Sequence, residues 1–254
     1  MQWVERVVAV LTTLAVSGSG LGITELSHEV DIPKSSLHRV LQSLGDKGFV
    51  VQDKESRKYR LGPAVLQLSG SYLARMSVRT VSTAHLRALG EKIRESVFLT
   101  VLEDDEAICV ETFETIRSVR FFVQVGRRMP FHATAASKVL LAFQSPDVFE
   151  RIFSKIWPLV PQTSRTIVDP EKLRQHLVEI KRSGYATCDG EMEVGVTAIA
   201  APIWDANGRV LASVTALGPT ERMEGAGRDN IVEEVRKTAE EISREMGHRP
   251  GLHR

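Results

Sequence analysis

The chain has 254 residues, 43% hydrophobic and 26% charged, and its 33 Lys and Arg against 32 Asp and Glu leave a net charge of +1. This is the composition of a folded soluble protein with room for one large domain or two ordinary ones. Global neutrality says nothing about nucleic acid, and no apolar segment is long enough to span a membrane. Only two cysteines occur, Cys109 and Cys188, and neither belongs to a CxxC or Cys/His cluster. Neither a disulfide framework nor a structural zinc site is indicated, and reduced thiols in a cytoplasmic protein are expected.

In chain order, residues 3–16 are predicted to form a first helix around "VVAVLTTLAV". Glu5 ahead of this ten-residue run and the helix-ending "SGSGLG" behind it mark a buried helix rather than the apolar region of a signal peptide. Thr24 is placed to cap a second helix that turns Leu26 and Val30 inward. After the break "DIP" comes "KSSLHRVLQSLGDKG", in which Leu37, Val40, Leu41 and Leu44 recur at i, i+3, i+4 and i+7 as one buried stripe. The rest of that helix surface carries Ser35, Ser36, His38, Arg39, Gln42 and Ser43, rich in hydrogen-bonding groups and poor in carboxylates. From Lys34 to Arg60, seven Lys or Arg stand against three Asp or Glu, a locally basic segment in a neutral chain. "FVVQDKESRKYRLG" predicts strands over Phe49–Gln52 and Lys58–Leu61 joined by a charged turn. Three helices and a hairpin in about 60 residues is the order of a winged helix-turn-helix.

Pro63 suits a first helical turn, and "PAVLQLSGSYLARMS" predicts a connecting helix followed by another over roughly 79–95. "SVFLTVLEDDEAICVETF" predicts a hairpin with an acidic turn and "VRFFVQV" a third strand. "ATAASKVLLAF" is a short helix of small residues, and "DPEKLRQHLVEIKRSG" a helix capped by Asp169 and stopped by Gly184. Two long apolar strands flank the Asn-Gly turn at 207–208, and an amphipathic helix over about 228–246 closes the chain. The fold class expected is α+β: a winged helix-turn-helix over residues 1–62, a linker helix over 63–78, and a domain built on an antiparallel sheet over 79–254.

In a helix-turn-helix the second helix of the pair enters the major groove and its N-terminal half touches base edges. Lys34, Ser35, Ser36, His38, Arg39, Gln42 and Ser43 are the candidate contacts, Arg offering a fork to guanine and Gln to adenine. Lys54, Arg57 and Lys58 in the hairpin turn are placed to reach flanking phosphates. A merely solvated helix and turn would carry similar residues, and it is the complete helix–helix–helix–hairpin order that favours double-stranded DNA.

Three stretches in order now carry a resemblance over nearly the whole length: "ITELSHEVDIPKSSLHRVLQSLGDKGFVVQDKESRKYRLG", "GRRMPFHATAASKVLLA" and "GYATCDGEMEVGVTAIAAPIWDANGRVLASVTALGP". The chain resembles IclR-family transcriptional regulators. That resemblance implies an N-terminal winged helix, a linker helix and a C-terminal GAF-like domain that binds a small organic acid. It also implies a homodimer or homotetramer on a pseudo-palindromic operator, with repression the expected sign. By the same resemblance, ligand contacts fall at Ala135, Ala136, Cys188, Ala198, Thr215 and Leu217, with Asp189 opening the "DGE" motif. Ala198 and Leu217 stand where several members carry polar groups, which favours a larger, partly apolar ligand such as an aromatic acid.

The residues themselves support a pocket less sharply. Ala133, Ala135 and Ala136 at a helix start permit close approach and leave N–H groups for an anion, but small residues also serve tight packing against a sheet. Glu191 either bonds pocket groups or fixes its turn, and His132, with no partner at metal-ligand spacing, is expected to be structural. No cofactor and no metal site are expected. Two other classes remain as alternatives: an enzyme using Cys188 with His132 and Asp189, and a nonspecific DNA-binding protein.

Overall fold

A computed structural model describes residues 3–73, 76–115, 117, 121 and 123–249, and the chain divides into two compact units, Met1–Arg75 and Met76–Arg254. In the first unit, α1 (Trp3–Val16), α2 (Ile23–Glu29) and α3 (Lys34–Asp46) pack through the periodic apolar positions read above. Val10, Leu14, Leu26, Val30 and Ile32 meet Leu37, Val40, Leu41 and Leu44 in one buried cluster. α2 begins one residue before the expected cap: Gly22 precedes it and donates its N–H to the Glu25 carboxylate at 2.8 Å, so Thr24 lies inside the first turn. Glu25 satisfies from within the helix what the threonine was expected to supply.

The hairpin strands are β1 (Val50–Gln52) and β2 (Tyr59–Leu61), antiparallel with Val51 opposite Arg60. Leu21 exchanges both backbone hydrogen bonds with Tyr59, at 3.0 and 2.8 Å, so the hairpin is tied to the segment between α1 and α2. Gly62 then folds back on the end of β1, donating its N–H to Phe49 at 2.7 Å. A Cβ there would stand 2.2 Å from the Gly48 carbonyl oxygen, so only glycine fits. α4 (Ala64–Leu73) follows, held at its start by an Ala64 N–H bond to Gly48.

The second unit is a five-stranded antiparallel sheet in the order β4-β3-β7-β6-β5. Its strands are β3 (Ser96–Glu103), β4 (Glu106–Phe113), β5 (Ala186–Asp189), β6 (Val196–Trp204) and β7 (Val210–Pro219). One face receives α5 (Ser77–Ile93) and α10 (Arg228–Glu245). The other receives α6 (Ala135–Ala142), backed by α7 (Pro146–Lys155) and α8 (Pro170–Ser183). α8 is capped as its sequence predicts: Asp169 accepts N–H groups from Glu171 and Lys172, and Gly184 ends it at φ +81°. The β6–β7 turn is closed by Asp205, whose carboxylate accepts from Asn207 and Arg209, and a short helix, α9 (Thr220–Met223), follows β7.

Several elements, α9 among them, depart from expectation. α7 was not among the expected elements although Val148, Phe149, Ile152 and Phe153 give it one apolar face at helical spacing, and the four-residue β5 is too short to show a period. The strand expected over "VRFFVQV" falls partly on residues 119, 120 and 122, outside the described set, and Phe121, Val123, Gln124 and Val125 belong to no strand. The partner of β4 on that side is the next segment instead: Cys109 donates to Arg127 at 3.0 Å and Met129 to Ala107 at 2.8 Å. Replacing Gly62 tests the close approach in the first unit. Gly62→Ala should lower its stability by about 1–3 kcal/mol, read as a shifted denaturation midpoint, because backbone rather than a flexible side chain must move.

Candidate functional site

α3 buries its aliphatic stripe and thereby presents its polar positions outward. Lys34, Ser35, His38, Arg39, Gln42 and Ser43 are exposed and Ser36 is half-buried. None of these side chains is engaged in a hydrogen bond or ion pair among the described residues. Donors that packing leaves free along one helix face are what base and phosphate recognition needs. In the hairpin turn, Asp53 accepts from the Ser56 N–H and hydroxyl, each at 2.8 Å. These bonds lower its pKa and occupy the one acid that opens the turn. Lys54 and Arg57 are exposed and Lys58 is half-buried.

In the second unit, sheet register assembles a cavity from distant sequence. Cys188 on β5 stands opposite Ala198 on β6, and Ala198 opposite Leu217 on β7, so the three share one face. That face looks toward the start of α6, and Cys188, Ala198, Leu217, Ala135 and Ala136 line a single cavity of about 80 Å³. Phe98, Val123, Met129 and Val196 are among its apolar walls, and Thr134, Arg127 and Glu193 among its polar lining. At the start of α6 the Thr134 hydroxyl accepts from Ser137, and the Lys138 N–H donates to the Thr134 carbonyl. The N–H groups of Ala135 and Ala136 have no partner among the described residues. Free amide donors at a helix start, opening on an apolar cavity, suit a carboxylate carried on an apolar body.

Two of the expected ligand residues are not part of this lining. Asp189 belongs to the other face of β5, and its carboxylate pairs with Arg228 at the start of α10, 2.9 Å away. Thr215 is one residue pair deeper in the sheet, between Ala200 and Phe98, fully buried and with no hydrogen-bond partner for its hydroxyl among the described residues. The Cys188 thiol donates to the Ala133 carbonyl at 3.0 Å, and burial pushes its pKa up to about 11. His132 Nε2 is 2.8 Å from the Val160 carbonyl. The three side chains of the catalytic alternative are thus each engaged elsewhere. Among the described residues no group of three His, Cys, Asp or Glu is placed to hold a metal ion.

The residue that sequence reasoning missed is Lys138. It is fully buried, and its Nζ reaches both oxygens of Glu191, at 2.7 and 2.6 Å. The loop after β5 is held further by Thr166, whose hydroxyl donates to the Glu191 carbonyl at 2.6 Å, and by Thr163, which donates to Gly190 at 2.7 Å. A lone lysine in "ATAASKVLLAF" was the available signal, since nothing else in that helix could accept its charge.

A winged helix with a free polar helix face in one unit and a sheet domain with an apolar cavity in the other make the architecture of a two-domain transcriptional regulator, and comparison with known proteins agrees. The model of the IclR helix-turn-helix domain matches residues 4–54, and that of the bacterial transcriptional regulator IclR C-terminal domain matches residues 70–244. The regulator BhcR of Paracoccus denitrificans is 32% identical over 245 residues, 96% of this chain and 87% of its own. KdgR of Escherichia coli is 31% identical over 228 residues, covering 90% and 86%. An IclR homologue from Microbacterium hydrocarbonoxydans, solved in complex with 4-hydroxybenzoate, superposes with a TM-score of 0.81 at 30% identity, over 96% of this chain and 99% of its own. The chain belongs to the IclR family of bacterial transcriptional regulators.

Removing one partner of the buried ion pair should be costly. Lys138→Met strands the Glu191 carboxylate and should lower stability by about 3–5 kcal/mol in urea unfolding, whereas replacing both partners by Met and Leu should cost much less.

Proposed function

We propose that this regulator reads a pseudo-palindromic operator through α3 and the hairpin turn, and that a small organic acid in the cavity changes its affinity for that operator. Lys34, Ser35, Ser36, His38, Arg39, Gln42 and Ser43 are the groove-facing set, and Lys54, Arg57 and Lys58 the phosphate set. Residues 1–62 serve as the reader, 63–78 as the linker and 79–254 as the sensor, in a cytoplasmic protein acting as a repressor. The observation that carries the proposal is the apolar cavity at the start of α6, where two unpartnered N–H groups meet Cys188, Ala198 and Leu217. The 4-hydroxybenzoate held by the Microbacterium homologue supports an aromatic acid as the ligand class. Thr215 and Asp189 then act behind the wall, Thr215 with a hydroxyl open to any polar group that penetrates further. A thiol kept neutral by burial and bonded to a carbonyl supports a wall role for Cys188 rather than nucleophilic chemistry.

Leu66 and Leu68 on α4, 73% and 63% exposed, and Trp3 and Val8 on α1, 48% and 52% exposed, leave the first unit with apolar surface it does not bury itself. Pairing through α4 covers it in a dimer, or a dimer of dimers, and sets two recognition helices on two half-sites. Ligand acts only through different affinity for the paired states that fit and do not fit the operator.

Selection from randomised duplexes yields the operator on which the reader is tested. Arg39→Ala should cost about 1–3 kcal/mol there and relax preference at one position, while Lys58→Ala should weaken all duplexes and reduce the salt slope by about 1. Equal losses for Arg39→Ala on operator and random DNA would assign it to a phosphate. The sensor is tested by Ala136→Leu, which fills the cavity. It should retain operator binding but lose the change in affinity caused by whichever acid is active in a panel of aromatic and central-metabolic acids. An unaltered response would move the ligand site elsewhere.

A further inference from the structure

An acid at the tip of a hairpin that meets DNA is electrostatically misplaced. The turn between β1 and β2 carries three cations, Lys54, Arg57 and Lys58, and two carboxylates, Asp53 and Glu55. Every phosphate that the cations attract, the carboxylates repel. The two acids nevertheless differ. The Glu55 side chain is exposed and makes no hydrogen bond or ion pair among the described residues. Asp53 is half-buried, and its Oδ1 accepts from the Ser56 N–H and hydroxyl, each at 2.8 Å, and from the Glu55 N–H at 3.2 Å. These bonds, that of the Ser56 N–H foremost, hold its pKa below the ordinary carboxylate value, so it is ionised at neutral pH. The rest of the turn is fixed around it. The Arg57 N–H donates to the Asp53 carbonyl at 3.0 Å, and the Asp53 N–H to the Lys58 carbonyl at 2.9 Å. Gln52 Nε2 donates to the Arg57 carbonyl at 2.9 Å and so secures Arg57 in the left-handed region, at φ +59°. No residue from 52 to 58 belongs to the core of the first unit, so the order of the tip rests on these polar bonds.

We infer that Asp53 is a positioning residue for DNA binding: through Oδ1 it holds the turn so that Arg57 and Lys58 meet phosphates already aimed, and this gain outweighs the repulsion of its own charge. The inference rests on the reading above, in which the hairpin turn meets the DNA backbone. The Arg57 and Lys58 side chains make no hydrogen bond or ion pair among the described residues, so the backbone beneath them sets their direction. An unheld turn would lose its conformational freedom at the moment of binding, and that loss would be subtracted from every phosphate contact. The acceptor and the charge of Asp53 are separable. All three bonds use Oδ1 and none uses Oδ2, so an asparagine keeps the acceptor and removes the charge. An alanine removes both.

Fluorescence anisotropy with the full chain, on the selected operator and on a random duplex, tests the inference. Asp53→Asn should bind both duplexes about threefold tighter than wild type, as should Glu55→Gln, because each removes one negative charge. Asp53→Ala removes the same charge and should nevertheless bind about tenfold weaker than Asp53→Asn, and weaker than wild type. The two Asp53 variants have equal charge, so electrostatics alone cannot separate them. Their unfolding midpoints should match, since the tip holds no part of the core. Gln52→Ala changes no charge and should weaken both duplexes about threefold. If Asp53→Ala tightens binding as Asp53→Asn does, Asp53 positions nothing and the inference is overturned, while a loss for Lys58→Ala leaves the wing reading standing. If Asp53→Asn is as weak as Asp53→Ala, the charge and not the acceptor is needed, which overturns it equally. Should Asp53→Ala fail to fold, Gln52→Ala decides, and an unchanged affinity there counts against the inference. If neither Lys58→Ala nor any variant of the turn alters binding, the wing does not meet DNA, and the reading and the inference fail together.

Discussion

The second unit depends on one buried ion pair. Lys138 and Glu191 each carry a charge into the interior, where an unpaired charge would be strongly unfavourable and only mutual, well-directed hydrogen bonds make burial tolerable. The consequence is geometric: the pair ties α6 to the loop that follows β5, two segments 53 residues apart. Those segments are opposite sides of the cavity, one contributing Ala135 and Ala136 and the other Met192 and Glu193. Thr163 and Thr166 bind the same loop through its carbonyls, so the loop is held by backbone and side chain together.

Register does the rest. In an antiparallel sheet, directly opposite residues share a face, so the pairings of Cys188 with Ala198 and Ala198 with Leu217 lay one row across three strands. Small side chains in that row, and alanines at the start of the helix above it, keep the two layers from closing completely. The other face, with Ile199, Val214 and Ala216 buried, belongs to the packing of α5 and α10. Phe98 and its neighbours Val97 and Leu99 alternate between these faces, so β3 is shared by the cavity wall and the α5 interface.

Much of this was legible in the sequence where the signal is local. The stripe of α3, the hairpin, the Asp169 and Gly184 boundaries of α8 and the Asn-Gly turn each depend on a few consecutive residues, and each is found where the pattern puts it. The cap of α2 went to Gly22 because Glu25 reaches back to its N–H, a competition between neighbours that residue preference alone does not rank. β5 stayed hidden because four residues give no periodicity, and its strand character comes from pairing with β6. Long-range partnerships were illegible for the same reason: nothing near Lys138 names Glu191, and nothing near Asp189 names Arg228. The family pattern grouped Thr215 with Leu217 because both point to one face, but depth within the sheet is set by packing, which no spacing encodes.

A ligand in this cavity faces a simple energetic requirement. It shifts operator affinity only by the difference between its binding free energies in the two states, and a tenfold shift needs about 1.4 kcal/mol of difference. Contacts that are equal in both states contribute affinity without a signal. Contacts that depend on the spacing of β3 from α6 are different. β3 carries Phe98 on the ligand side and packs against α5 on the other, and α5 is the element that follows α4 in the chain. In the proposed scheme, a ring that moves Phe98 moves β3 against α5, so the part of the ligand touching that wall supplies the coupling. In the same scheme an acid end at the free amides of α6 supplies mainly the affinity.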